Sequence, residues 1–233
     1  MKREEYITRL LDTYQLVSVL ADKNECRTLR VRHKQNGQDM VVHSYPQAIP
    51  AYEWLCTVKA ENLPEIYDAI TLEDGQIVLE EYIDGITVAQ VMEGERYRYR
   101  GAKKVLIGVC RALTALHRHG VVHRDVKPEN VIVTADGRVV LIDLNASRKI
   151  SETDKDTVVM GTVGYASPEQ LGVSQSDART DIYAAGVLLN VMIVGKHPSE
   201  QIASGRTGRV VRKCTRIHPD DRYQTAEKLA EAL

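Results

Sequence analysis

The chain has 233 residues, 43% of them hydrophobic and 27% charged, which suffices for one large domain or two smaller lobes. Its 31 basic side chains stand against 32 acidic ones, a net charge of −1 that gives no electrostatic case for nucleic acid or an anionic membrane. Four widely spaced cysteines (Cys26, Cys56, Cys110, Cys214) lack metal-ligand spacing and read as reduced thiols, so a cytoplasmic setting is expected. No stretch approaches a membrane span, and Met1-Lys-Arg-Glu-Glu-Tyr6 has no apolar run of a leader.

In chain order, residues 3–12 place Tyr6, Ile7, Leu10 and Leu11 on one face of a short amphipathic helix. Strand-like runs follow at 14–20, 28–33 and 40–45, with Asn36-Gly37 as a hairpin signal. A short helix is expected over 51–59, then strands at 66–71 and 77–82 around Glu73-Asp-Gly75. This predicts a five-stranded sheet with one helix over residues 1–83, and Asp84-Gly85 reads as a connector. Residues 84–233 read as mainly helical, with helices over 87–92, 101–118, 181–194, 207–214 and 225–233. Residues 146–164 form a long polar segment without period, the kind of loop that is usually functional.

The densest chemistry lies in Val121-Val-His-Arg-Asp-Val-Lys-Pro-Glu-Asn-Val-Ile-Val133. It sets an acid, a cation and an amide at fixed offsets: Asp125, Lys127 and Asn130. A second acid, Asp143, follows the apolar run 139–142, and Ala135-Asp-Gly137 supplies the turn of a hairpin. That hairpin brings Asn130 and Asp143 to one end of a small ladder, where an amide and a carboxylate suit Mg²⁺. Asp125 is left to receive a proton and Lys127 to neutralise a phosphoryl group in transit.

His-Arg-Asp-x-Lys-x-x-Asn followed by an acid after a hairpin resembles the catalytic loop and metal segment of protein kinases. Lys127 looks like the serine/threonine class, and the likeness is strongest to small bacterial kinases of eukaryotic type. The resemblance implies one α+β, two-lobed domain, 1–83 and 84–233, using ATP and Mg²⁺ on a protein substrate. It implies Asp125 and Lys127 as catalytic groups and Asn130 and Asp143 as metal ligands. Gly161-Thr-Val-Gly-Tyr-Ala-Ser-Pro-Glu-Gln170 is similar to the end of an activation segment, with Thr162 supporting the catalytic acid and Glu169 pairing with Arg222. Asp181 is similar to the acid that holds the backbone of His123 and Arg124. In the family, the arginine before the catalytic acid receives an activation-loop phosphate, which makes Thr157, among Thr153, Thr157 and Thr162, the expected site of autophosphorylation.

The first lobe departs from the family pattern. Glycine positions over the phosphates hold Ala21, Lys23 and Cys26, His43 stands for the strand lysine, and Ala51 for the helix glutamate. Glu53 lies near Ala51 but on another side of the helix. Asp143-Leu144-Asn145 replaces Asp-Phe-Gly, with Leu144 keeping an apolar plug in a chain that has no Phe. Strand alternation points Glu80 inward and Glu81 away, so a cation from Lys23, Arg27 or His43 should meet Glu80. An imidazole is largely neutral near pH 7 unless a carboxylate raises its pKa, so Lys23 or Arg27 is expected to touch phosphate while His43 and Glu80 pair. Glu81 and Ile132 complete the expected nucleotide contacts. Two functions stay open at this point, a serine/threonine kinase or a pseudokinase that signals without turnover; a small-molecule kinase ranks behind both, since those resemble this loop but not the Ser167-Pro-Glu169 segment.

Overall fold

The computed structural model describes residues 1–57, 59–149, 162, 164–171 and 176–233. They form two compact units, residues 1–60 with 64–83 and residues 61–63 with 84–233.

The first unit runs α1 (Arg3–Thr13), β1 (Tyr14–Lys23), β2 (Cys26–His33), β3 (Asp39–Tyr45), α2 (Pro50–Leu55), β4 (Ile66–Leu72) and β5 (Gly75–Glu81). The strands make one antiparallel sheet in the order β1-β2-β3-β5-β4. Period-two alternation explains its core. Leu29 and Val31 of β2, Met40 and Val42 of β3, and Ile77 and Leu79 of β5 pack with Ile7 and Leu10 of α1. The intervening residues, His43 and Glu80 among them, therefore lie on the other face.

Two expectations for this unit need correction. The first two strands do not stop at residues 20 and 28, because β1 and β2 stay paired from Ala21↔Thr28 to Lys23↔Cys26. Asn24 and Glu25 close the hairpin alone, at φ 52° and 62°, the left-handed geometry of a type I′ turn without any glycine. The second helix ends at Leu55, not at residue 59, since Thr57 N–H and Oγ1 both donate to Trp54 O and tighten the last turn.

The second unit comprises β6 (Gly85–Thr87), α3 (Val88–Gly94), α4 (Tyr99–His117), β7 (Val121–Val122), β8 (Val131–Thr134), β9 (Val139–Leu141), β10 (Arg148–Lys149), α5 (Ala178–Val194), α6 (Gly205–Cys214) and α7 (Ala226–Ala232). The β8–β9 hairpin forms as expected, with Gly137 at φ 85° in its three-residue turn. Its other edge pairs with β6, so Gly85, read with Asp84 as a connector, opens a third strand that runs to Thr87, the residue expected to begin the next helix. A two-stranded ladder of β7 and β10 was also not foreseen. Helix α5 is buried nearly all round and starts three residues earlier than expected, because Asp177 and Thr180 form a capping box. It stops at Gly195, whose φ of 75° suits a residue without Cβ. The result is the α+β kinase-like class expected: an antiparallel sheet with helices in one unit, a mainly helical second unit.

Candidate active site

The loop after β7 is held from below by one buried carboxylate. Asp181, near the start of α5, accepts from His123 N at 2.9 Å and from Arg124 N at 2.8 Å. His117, at the end of α4, places Nε2 2.7 Å from the same carboxylate. Burial favours neutral Asp181, yet the His117 bond, the charges of both histidines and the amide donors outweigh it, so its carboxyl titrates below the usual range. Gln170 Nε2 donates to Arg124 O at 2.8 Å, and His123 Nε2 lies 3.2 Å from Ile142 O. This scaffold holds Arg124 in the left-handed region at φ 69°, a conformation that costs energy for a non-glycine residue and recurs at active sites.

What the loop presents is Asp125, with both oxygens occupied. Thr162 Oγ1 donates to Oδ1 at 2.7 Å, and Lys127 Nζ donates to Oδ2 at 2.6 Å. Lys127 also donates to Thr162 Oγ1 at 2.8 Å, closing a three-membered ring of contacts. Asn130 Nδ2 donates to Asp125 O at 2.9 Å and to Oδ2 at 3.0 Å. Burial again pushes Asp125 toward the neutral acid, but the Lys127 and Thr162 bonds and the Lys127 charge prevail, and its pKa is lowered.

Asn130 spends its NH₂ on Asp125, so Oδ1 is the atom that offers lone pairs to a cation. Ile142 N donates to Asn130 O at 2.9 Å, so Asp143 follows directly after the ladder contact, at φ 65°. Asp143 Oδ1 accepts from Asn145 N at 3.2 Å, and Leu144 is buried beside it. Among the described residues no three His, Cys, Asp or Glu side chains converge as in a metal cage. An amide oxygen and a carboxylate are hard donors suited to Mg²⁺, which keeps several waters. The residues fit that ion.

Behind the loop, Glu169 and Arg222 form the expected pair, Nη1–Oε1 2.6 Å and Nη2–Oε2 2.9 Å, both buried. Thr180 Oγ1 adds a bond to Glu169 Oε1 at 3.0 Å. His117, Gln170 and Thr180 were missed in the sequence, since nothing local marks a polar residue as the partner of an acid many positions away.

In the first unit, Val41 opposes Glu80 and His43 opposes Val78, so His43 and Glu80 are diagonal neighbours on one face. His43 Nε2 lies 2.8 Å from Glu80 Oε1, and its Nδ1 lies 3.1 Å from Thr28 Oγ1. The His43 ring stacks on Tyr45, which stacks on Tyr52. Arg27 is held by Asp22 at 3.1 Å and Glu4 at 3.2 Å. Lys23, exposed at the hairpin tip, has no ion pair among the described residues. Ala51 is buried and Glu53 is exposed, Glu81 exchanges bonds with Glu65, and Ile132 sits in β8. Thr153 and Thr157 lie outside the described residues.

Since His43 and Glu80 are both buried, truncating one removes a hydrogen-bond partner of the other away from water. Glu80→Leu and His43→Leu are each expected to cost about 1–3 kcal/mol. The double change His43→Leu with Glu80→Leu should cost less than the two single changes summed. Denaturant titration of the four proteins checks this; simple additivity would show that the two side chains do not interact.

A loop that buries an acid among a lysine, a threonine and an asparagine, with a second acid one hairpin away, has the parts of the protein-kinase catalytic loop and metal segment. Residues 26–233 match the protein kinase domain family, and the chain belongs to it. It is similar to the serine/threonine-protein kinase PknB of Mycolicibacterium smegmatis, 27% identical over 263 aligned positions that cover 99% of this chain and 40% of the relative. A probable serine/threonine-protein kinase PknB of Corynebacterium glutamicum is 33% identical over 57% of this chain and 25% of its own length. A probable serine/threonine-protein kinase of Clostridium perfringens is 29% identical over 72% of this chain and 28% of its own. The chain thus spans about two fifths or less of these curated relatives. No described helix is long and apolar enough to cross a membrane.

Proposed function

We propose that the chain is a serine/threonine protein kinase, transferring the γ-phosphoryl group of ATP to a Ser or Thr hydroxyl of a protein. The observation that carries this reading is the buried Asp125 carboxylate bonded by Lys127, Thr162 and Asn130. Asp125 takes the hydroxyl proton as the new O–P bond forms and ADP departs. Lys127, within reach of Asp125, neutralises charge on the phosphoryl oxygens, and Thr162 fixes the acid's orientation. Bound Mg²⁺, for which Asn130 and Asp143 are the assigned ligands, supplies charge neutralisation and alignment of the phosphates. A pseudokinase is not favoured, because it leaves this cluster without a use.

The phosphate charge usually met by a strand lysine is assigned to Lys23, since Arg27 and His43 are already engaged by carboxylates. Glu81 and Ile132 remain the assigned contacts to the rest of the nucleotide.

Incubation with ATP, Mg²⁺ and a Ser/Thr-rich protein should place phosphate on Ser or Thr, read by intact mass and peptide mapping, with Thr157 as the mapped site on the chain itself. Lys23→Ala should raise the KM for ATP several-fold, roughly the effect of losing one exposed charge contact, with His43→Ala doing less. A protein that is stabilised by ATP and Mg²⁺ yet transfers nothing would overturn the kinase reading in favour of a binding module.

A further inference from the structure

A second concave site lies within the second unit, away from the Asp125 cluster in its lining. The first half of α4, the β8–β9 turn and residues 61–62 enclose a cavity of about 350 Å³. Five cations line it, Arg100, Lys103, Lys104, Arg111 and Arg138, against a single acid, Glu61. In a chain with net charge −1 that is a local excess of one sign.

The cations are built into the wall in two ways. Arg138 is anchored, with Nε donating to Glu61 O at 2.8 Å and Nη2 to Leu63 O at 3.2 Å. The other four side chains make no ion pair or hydrogen bond among the described residues. They follow helical spacing at 100, 103, 104 and 111, one stripe along α4, with the Lys104 ammonium over Gly137. Between them the floor is apolar, made by Ile107, Gly108 and Val139. Helix α4 also has no acid in its first turn and no side-chain cap on Arg98, so cations sit at its positive end uncompensated.

We infer that this groove binds an acidic peptide segment carrying an apolar residue. Eleven helical steps lead from Arg100 to Arg111, a charge stripe about 16 Å long at 1.5 Å per residue. One phosphate or one carboxylate cannot span that length, whereas an extended peptide covers it with about five residues. The apolar floor and the concavity favour a peptide over a flat lipid surface or a nucleic-acid backbone, which offer no side chain to fill it.

The test uses the full chain and a fluorescein-labelled Glu-Glu-Leu-Glu-Glu peptide, read by anisotropy against its Gln-Gln-Leu-Gln-Gln counterpart. The acidic probe should bind at least about ten-fold tighter, and Lys104→Glu with Arg111→Glu should erase that difference. Arg212→Glu, on the cationic face of α6, should leave binding unchanged. Equal affinity of the parent for the two peptides would overturn the inference. So would equal weakening by Arg212→Glu, which would mean diffuse attraction. Tighter binding of a single-stranded oligonucleotide of matched charge, lost in the same double variant, would reassign the groove to nucleic acid and overturn it as well.

Discussion

Arg222→Ala is expected to lower the unfolding free energy by roughly 3–5 kcal/mol, the scale for breaking a buried ion pair from one side. All five donors of that guanidinium are in use. Nη1 bonds Glu169 and Arg179 O, Nη2 bonds Glu169 and Ile217 O, and Nε bonds Arg216 O. Arg222→Lys should be nearly as damaging, because three ammonium protons cannot replace a planar fork. The pH dependence carries a sign. Burial raises the Glu169 pKa, but the Arg222 bonds and charge, with help from Thr180, bring it below the usual value. A carboxyl depressed in the folded state contributes stability above its unfolded pKa, and that contribution is lost as pH falls through the folded one. In Arg222→Ala only burial would remain dominant, so mild acid should stabilise the variant where it weakens the parent. Urea unfolding at two pH values reads both effects. A loss below about 1 kcal/mol with an unchanged pH slope would mean the pair is not the anchor described.

Asp125→Asn should reduce phosphoryl transfer by about 10²–10⁴, the range for removing a general base, while the variant still shows nucleotide-dependent stabilisation with Mg²⁺. Asp143→Asn should lose the Mg²⁺-dependent part of that stabilisation first, since it is the carboxylate assigned to the metal. The proposed division of labour rests on the bonds: Asp125 has both oxygens occupied by Lys127, Thr162 and Asn130, whereas among the described residues Asp143 has one long bond, to Asn145 N. Thermal shift with and without Mg²⁺, beside a transfer assay, separates them. Equal loss of nucleotide stabilisation in both variants would contradict the assignment.

The second unit's site was largely legible because its chemistry is local in sequence. Asp125, Lys127 and Asn130 fall within six positions, and one hairpin turn with Gly137 delivers Asp143. Glu80 was legible too, since strand alternation fixes its face and register fixes its neighbour. The tip of the β1–β2 hairpin was not. Asn24 and Glu25 adopt left-handed backbone that side-chain identity scarcely announces for Glu, so a tight turn read as a loop. Strands of two or three residues, β6, β7 and β10, carry too few residues for a period to show. His117, Gln170 and Thr180 escaped because polar partners are chosen by tertiary proximity, which no spacing rule encodes.

The anchoring of the loop at His123 and Arg124 by Asp181 bears on when the site can exist. The amides of His123 and Arg124 take their shape from an acid 58 and 57 positions further on. While the chain is being made, Asp125 leaves the ribosome well before the residue that orders its loop, and Arg222 emerges later still. Until α5 has been synthesised and has docked, the strained backbone at Arg124 lacks the Asp181 carboxylate that accepts from its amide. A nascent chain therefore carries Asp125 and Lys127, the residues proposed for the chemistry, for more than fifty residues of synthesis before the acid that orders their loop, and the site as described can form only once α5 is in place.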